Sequence, residues 1–170
     1  MEKTAANNAL RTFVELQCDP FEESLVPVIR RLVRTLGKQD AIGCCHAYDR
    51  AIEKWGDPIG LSIAHLLQKL ITELTKCRGA PLACFYPRER AELVFVSYEE
   101  SNLLKMLHHL RREDFNAANQ QAEELMFGRR APKVIRAAST FAQRYKAAPK
   151  PLRKGERHRV RLSIVAQSEA

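Results

Sequence analysis

Starting at Ile63, apolar residues fall at i, i+3, i+4, i+7, i+8 and i+11: Ile63, Leu66, Leu67, Leu70, Ile71 and Leu74. That rhythm gathers one apolar face on an α-helix and is incompatible with a strand, whose faces alternate every second residue. Asp57-Pro58 supplies the start, with a capping acid and a proline at the first helical position. A face this apolar must be buried, so the rest of the chain is expected to pack around this segment as the central core helix.

The same period recurs on both sides. Phe13, Val14 and Leu16 suggest a short first helix. Asp19-Pro20 followed by Glu22 offers a cap, an N1 proline and an acid at N3. Pro27 interferes with that start, and Ser24 as a second cap would place the proline harmlessly in a first turn. Val28, Leu32 and Leu36 then recur at helical spacing, with Gly37 as the stop. Asp40 caps a stripe of Ala41, Cys44, Cys45, Tyr48, Ile52 and Trp55, ended by Gly56.

Beyond the core helix, Pro81 and Pro87 punctuate a loop, and Leu93-Val94-Phe95-Val96 suits either a short strand or a helical turn. Ser97-Tyr98-Glu99-Glu100 reads as a capping box, followed by Leu103, Leu104, Leu107 and Leu110. Arg112-Glu113-Asp114 turns the chain into a helix carrying Phe115, Ala118, Ala122, Leu125 and Met126 and ending at Gly128. A last helix starts near Pro132, with Val134, Ile135, Ala138, Phe141, Ala142 and Tyr145 inward, and Pro149 and Pro151 stop it. Val160-Arg161-Leu162-Ser163-Ile164-Val165 alternates and would allow a strand if something paired with it. The expected fold is all-α: a compact bundle of five to seven helices over residues 13–148, a frayed start over 1–12, and a basic, largely irregular extension over 149–170.

With 170 residues, 45% of them hydrophobic, the chain has material for a core that needs no staple. The N-terminus shows no apolar signal region, and no apolar run reaches the roughly 20 residues of a membrane span. Five cysteines at irregular spacings (Cys18, Cys44, Cys45, Cys77 and Cys84) fit reduced thiols in the cytoplasm.

Several chemistries find no support. Cys44-Cys45-His46, with His65, Cys77 or Cys84, lacks the two-residue gap of structural zinc sites, and adjacent helical cysteines diverge by about 100°. They are expected to pack rather than to bind metal. Gly60-Leu61-Ser62-Ile63-Ala64 has the outline of a nucleophile elbow, but it falls inside a helix where that motif needs a strand and a sharp turn. His108-His109, beside Arg111 and Arg112, reads as a favourable positive helix end. No glycine-rich phosphate loop, metal motif or cofactor motif occurs, and nothing points to an enzyme.

The informative signal is where the charge lies. Of the net +8, residues 128–161 carry twelve Lys or Arg against Glu156 alone, whereas residues 1–127 stand at −2. The expected ligand is a polyanion, nucleic acid first, with Arg129, Arg130, Lys133, Arg136, Arg144, Lys146, Lys150, Arg153, Lys154, Arg157, Arg159 and Arg161 as its contacts. The last two helices, joined across Gly128-Arg129-Arg130, loosely suit a helix-turn-helix, in which Lys133, Arg136, Thr140, Gln143 and Arg144 would face the ligand. This describes a small nucleic-acid-binding regulatory or accessory protein. A helical adaptor docking on an acidic protein surface is the alternative, and a thiol- or metal-dependent activity of the cysteine-rich middle is a third. Phe141 and Tyr145 are the only aromatics in the basic region, and both belong to the apolar side, which argues against a base-stacking platform.

Overall fold

Asp19 and Glu22 close a reciprocal capping box: Asp19 Oδ1 accepts from the Glu22 N–H, and Glu22 Oε2 from the Asp19 N–H, each at 2.9 Å. Ser97 and Glu100 repeat the device farther along the chain, as does Thr12 with Glu15. In the computed structural model, which describes residues 10–36 and 41–147, these caps open three of seven α-helices: α1 (Phe13–Leu16), α2 (Pro20–Leu36), α3 (Ala41–Trp55), α4 (Asp57–Arg78), α5 (Tyr98–Arg111), α6 (Phe115–Leu125) and α7 (Pro132–Arg144). The fold is an all-α bundle. The expected stop at Gly37, the cap at Asp40, Pro149, Pro151 and the alternating run from Val160 lie outside the described residues.

Successive helices α2, α3 and α4 pack on one another, α5 and α6 form a second hairpin, and α7 lies across both α4 and α5. A single apolar cluster runs through all of them except α1's exposed side. Ile63, Leu67, Leu70, Ile71 and Leu74 of α4 sit in it almost without solvent contact, so α4 is the central helix. Leu66 is only half-buried; the inward arc of α4 passes through Leu67 and Leu70 and leaves Leu66 at its edge. At the far end of the core, Phe141 of α7 is fully buried against Phe21 and Tyr145, with ring centroids 6.3 and 5.1 Å away.

Four other expectations need correction, and the strand-or-turn alternative before Ser97 resolves into both. Arg11 and Thr12 are not frayed: they form β1 (Arg11–Thr12), antiparallel to β2 (Phe95–Val96), with Arg11 opposite Val96. The ambiguous run before Ser97 is a 3₁₀ turn over Arg90–Val94 that passes into β2. Pro27 neither starts nor breaks a helix; α2 runs through it, because the proline faces solvent and the carbonyl it leaves unbonded can be hydrated. Asp57 is the first residue of α4, and the cap is Gly56, whose φ of 80° suits glycine. Cys45 and Phe115, placed on apolar stripes by periodicity, are exposed.

Two buried ionic clusters tie the helices together. The Arg30 guanidinium of α2 meets both oxygens of Glu100 on α5, at 2.6 and 3.2 Å, and donates to the Phe95 carbonyl in β2. Glu100 thereby serves α2, β2's neighbourhood and its own helix start at once. At the opposite end of α5, Arg111 and Arg112 converge on Asp19 and Glu22, and Arg111 also donates to the Tyr145 carbonyl after α7.

Candidate nucleic-acid interface

α7 starts at Pro132, where the fixed φ of proline suits a first turn, and its N-cap residue Ala131 gives no side-chain hydrogen bond. Val134, Ala138, Phe141 and Ala142 point into the core. Lys133, Arg136, Thr140, Gln143 and Arg144 are all exposed, and at about 100° per residue they fall within an arc of roughly 120° on the other side. The apolar and basic faces of α7 are therefore separate, as the sequence pattern leads one to expect. Arg129 and Arg130 are exposed just ahead of the helix, next to the positive end of its dipole.

α4 contributes the opposite wall. His65, Lys69, Thr72 and Lys76 occupy an arc of about 60° opposite the apolar face of α4. Together with Lys133, Arg136 and Thr140 they line an open groove of about 720 Å³, with Ala137 on its lining. Arg136 also lines the adjoining cleft, which Arg130 shares. Among the described residues the only acid on the first groove is Glu73, and Lys76 holds it at 3.2 Å. Lys69, Lys133 and Arg136 have no ion pair among the described residues, so at neutral pH their charge faces solvent. Four cations against one paired acid make this groove attractive to phosphate oxygens.

The remaining basic residues divide. Arg144 is exposed on the same helix face. Lys146 is exposed but spends its charge on Glu113 at 2.7 Å, and that contact holds the Glu113 carboxyl below its usual value. Lys150, Arg153, Lys154, Arg157, Arg159 and Arg161 lie outside the described residues. The expected helix-turn-helix is not formed: six residues, 126–131, separate α6 from α7, and α7 rests on α4 and α5 while barely touching α6. The wall from α4 was missed in the sequence because its two lysines, Lys69 and Lys76, stand seven residues apart among acids and amides, far along the chain from α7. The polar period opposite the apolar one was the available signal.

The cysteines do not assemble. Among the described residues no group of three His, Cys, Asp or Glu side chains is placed to hold a metal ion. Burial, reinforced by Glu22, pushes the Cys18 thiol up to about 12, and burial beside Glu100 raises that of Cys84. Such thiols resist ionisation and are poor nucleophiles. Ser62 sits within α4, and Gly60 packs against the Ala51 backbone of α3. Among the described residues no helix is long and apolar enough to cross a membrane. No protein-family model, no curated protein and no solved structure matches the chain.

Proposed function

We propose that this protein binds the phosphate backbone of nucleic acid through the groove between α4 and α7. One observation carries the reading: Lys69, Lys133 and Arg136 converge on one open groove whose acid among the described residues, Glu73, is already paired with Lys76. Backbone contacts of this kind come from Lys and Arg with hydroxyls such as Thr72 and Thr140, and they give affinity without sequence choice. No Phe, Tyr or Trp lines the groove among the described residues, so it suits a backbone rather than stacked bases. The role that follows is that of an accessory or regulatory protein.

The test is a mobility-shift titration of the full chain with duplex DNA, single-stranded DNA and RNA at physiological salt. A dissociation constant of about 10⁻⁴ to 10⁻⁶ M is expected for at least one of them. The Lys69→Ala, Lys133→Ala, Arg136→Ala triple variant is expected to bind about tenfold or more weakly, with an unchanged circular dichroism spectrum. If none of the three nucleic acids binds more tightly than about 1 mM, the basic surface belongs instead to an acidic protein partner.

A further inference from the structure

A second site stands on independent observations at the C-terminus of α4. The Arg78 side chain is 3% exposed, and its Nη2 donates to Glu99 Oε1 at 2.7 Å. Its Nε and Nη1 are buried with no hydrogen-bond partner. The Phe127 ring lies over the same guanidinium, its centroid 4.7 Å from Cζ. A ring stacked on a guanidinium meets its face, whereas the N–H bonds lie in the guanidinium plane and need an acceptor there. Phe127 itself is 61% exposed and held at a φ of 56°, an uncommon conformation for a bulky residue, just before Gly128 at 81°. An exposed aromatic in a strained turn thus stacks on a guanidinium that keeps two unmet donors.

Phe127 and Glu99 both line a groove of about 830 Å³ between α5 and α6. Asn102, 3% exposed, lines it too, and its Nδ2 is also buried without a partner. The rim carries Glu123 and Glu124; Glu124 accepts from the Tyr98 hydroxyl at 2.9 Å, and Glu123 has no ion pair among the described residues. One unmet donor, on Asn102, thus lines a groove rimmed by carboxylates, and the two of Arg78 adjoin it through the Phe127 ring. An anionic ligand would satisfy the donors but meet repulsion at the rim, and an apolar one would leave the donors unmet. A peptide main chain carrying positive side chains satisfies both.

We propose that this groove binds an extended basic peptide segment of a partner protein. Phe127 swings aside, main-chain carbonyl oxygens of the segment accept from Arg78 and Asn102, and a Lys or Arg side chain meets Glu123 and packs on the displaced ring. Aromatic and arginine side chains that become desolvated on binding are the usual anchors of such contacts.

The test titrates the full chain into a fluorescein-labelled heptapeptide alternating alanine with lysine and arginine, read by fluorescence anisotropy, with a glutamate-bearing counterpart as control. Saturable binding with a dissociation constant below about 100 µM is expected for the basic peptide alone. Glu123→Gln and Phe127→Ala, both at solvent-exposed positions, should each weaken it about tenfold. In ¹⁵N NMR the Arg78 Nε–H and Asn102 side-chain amide signals should move as the peptide saturates. Three results overturn the proposal: no saturation below about 1 mM, indifference to both substitutions, or Arg78 and Asn102 signals that stay in place. A fourth is at least tenfold tighter binding to an Arg153→Ala, Lys154→Ala, Arg157→Ala, Arg159→Ala variant, which would make the chain's own basic segment the occupant.

Discussion

Glu22 has no solvent exposure, yet its carboxyl stays ionised. Burial alone would push its pKa up; hydrogen bonds with His108 and Arg112 and from the Asp19 N–H outweigh burial and hold it at about 2, against an ordinary 4.5. Because the folded value lies below the unfolded one, the stabilisation is complete above pH 4.5 and is lost as pH falls toward 2. Glu22→Gln should be strongly destabilising at pH 7, because it leaves Arg111 and Arg112 without their buried partner. The gap between variant and wild type should then narrow by about 2 kcal/mol as the pH of a urea titration is lowered from 6 to 2.5. A gap that stays constant with pH would mean that Glu22 is not the group that titrates. Position within α4 makes a second contrast at this scale: Leu70→Ala should cost about 2 to 5 kcal/mol, and Leu66→Ala, at the half-buried edge, clearly less. Thermal melts of the two variants rank them.

The helices show which parts of the fold can be read in one dimension. Caps are local, so Asp19 with Glu22 and Ser97 with Glu100 declared their helix starts within four residues, and each box is present. Apolar periodicity found α4 and the buried face of α7 for the same reason. What depends on a distant partner was not legible. Arg11 and Thr12 become a strand only because Phe95 and Val96 come to lie beside them, and Arg30 is buried only because Glu100 meets it from 70 residues away. Half of the candidate groove failed to appear for that reason, since the cations of α4 matter only once α7 lies alongside. Gly60 shows the same dependence. A Cβ there would sit 2.5 Å from the Ala51 carbonyl oxygen and 2.6 Å from the Ile52 nitrogen, so the glycine lets α3 and α4 cross closely after the one-residue joint at Gly56. Gly60→Ala adds up to about 1 kcal/mol of helix propensity, but the overlap is with backbone, which cannot rotate away. A net loss of about 2 kcal/mol is expected in denaturant unfolding, and a stabilised variant would show that the crossing is looser than this geometry.

Over the whole molecule the charge has two addresses, and they can be separated. Residues 1–127 are near neutral in sum while residues 128–161 stand at +11, so a reading of the chain assigns binding to its basic end. The groove adds Lys69 and Lys76 from the near-neutral part, held opposite Lys133 and Arg136 on a rigid pair of helices. Fixed cations contact phosphates at a set spacing, and each neutralised phosphate releases counterion, lowering the logarithmic salt slope by about 0.9 on duplex DNA. Removing Lys69, Lys133 and Arg136 together should therefore flatten the slope by up to about 2.7, with the same loss of affinity on unrelated duplex sequences. Replacing Arg153, Lys154, Arg157 and Arg159 by alanine tests the other address. If the groove is the binding surface, the groove variant loses slope although every cation from Lys150 onward is intact. A groove variant with the wild-type slope, beside a second variant with a flattened one, would place the whole interaction outside the helical bundle.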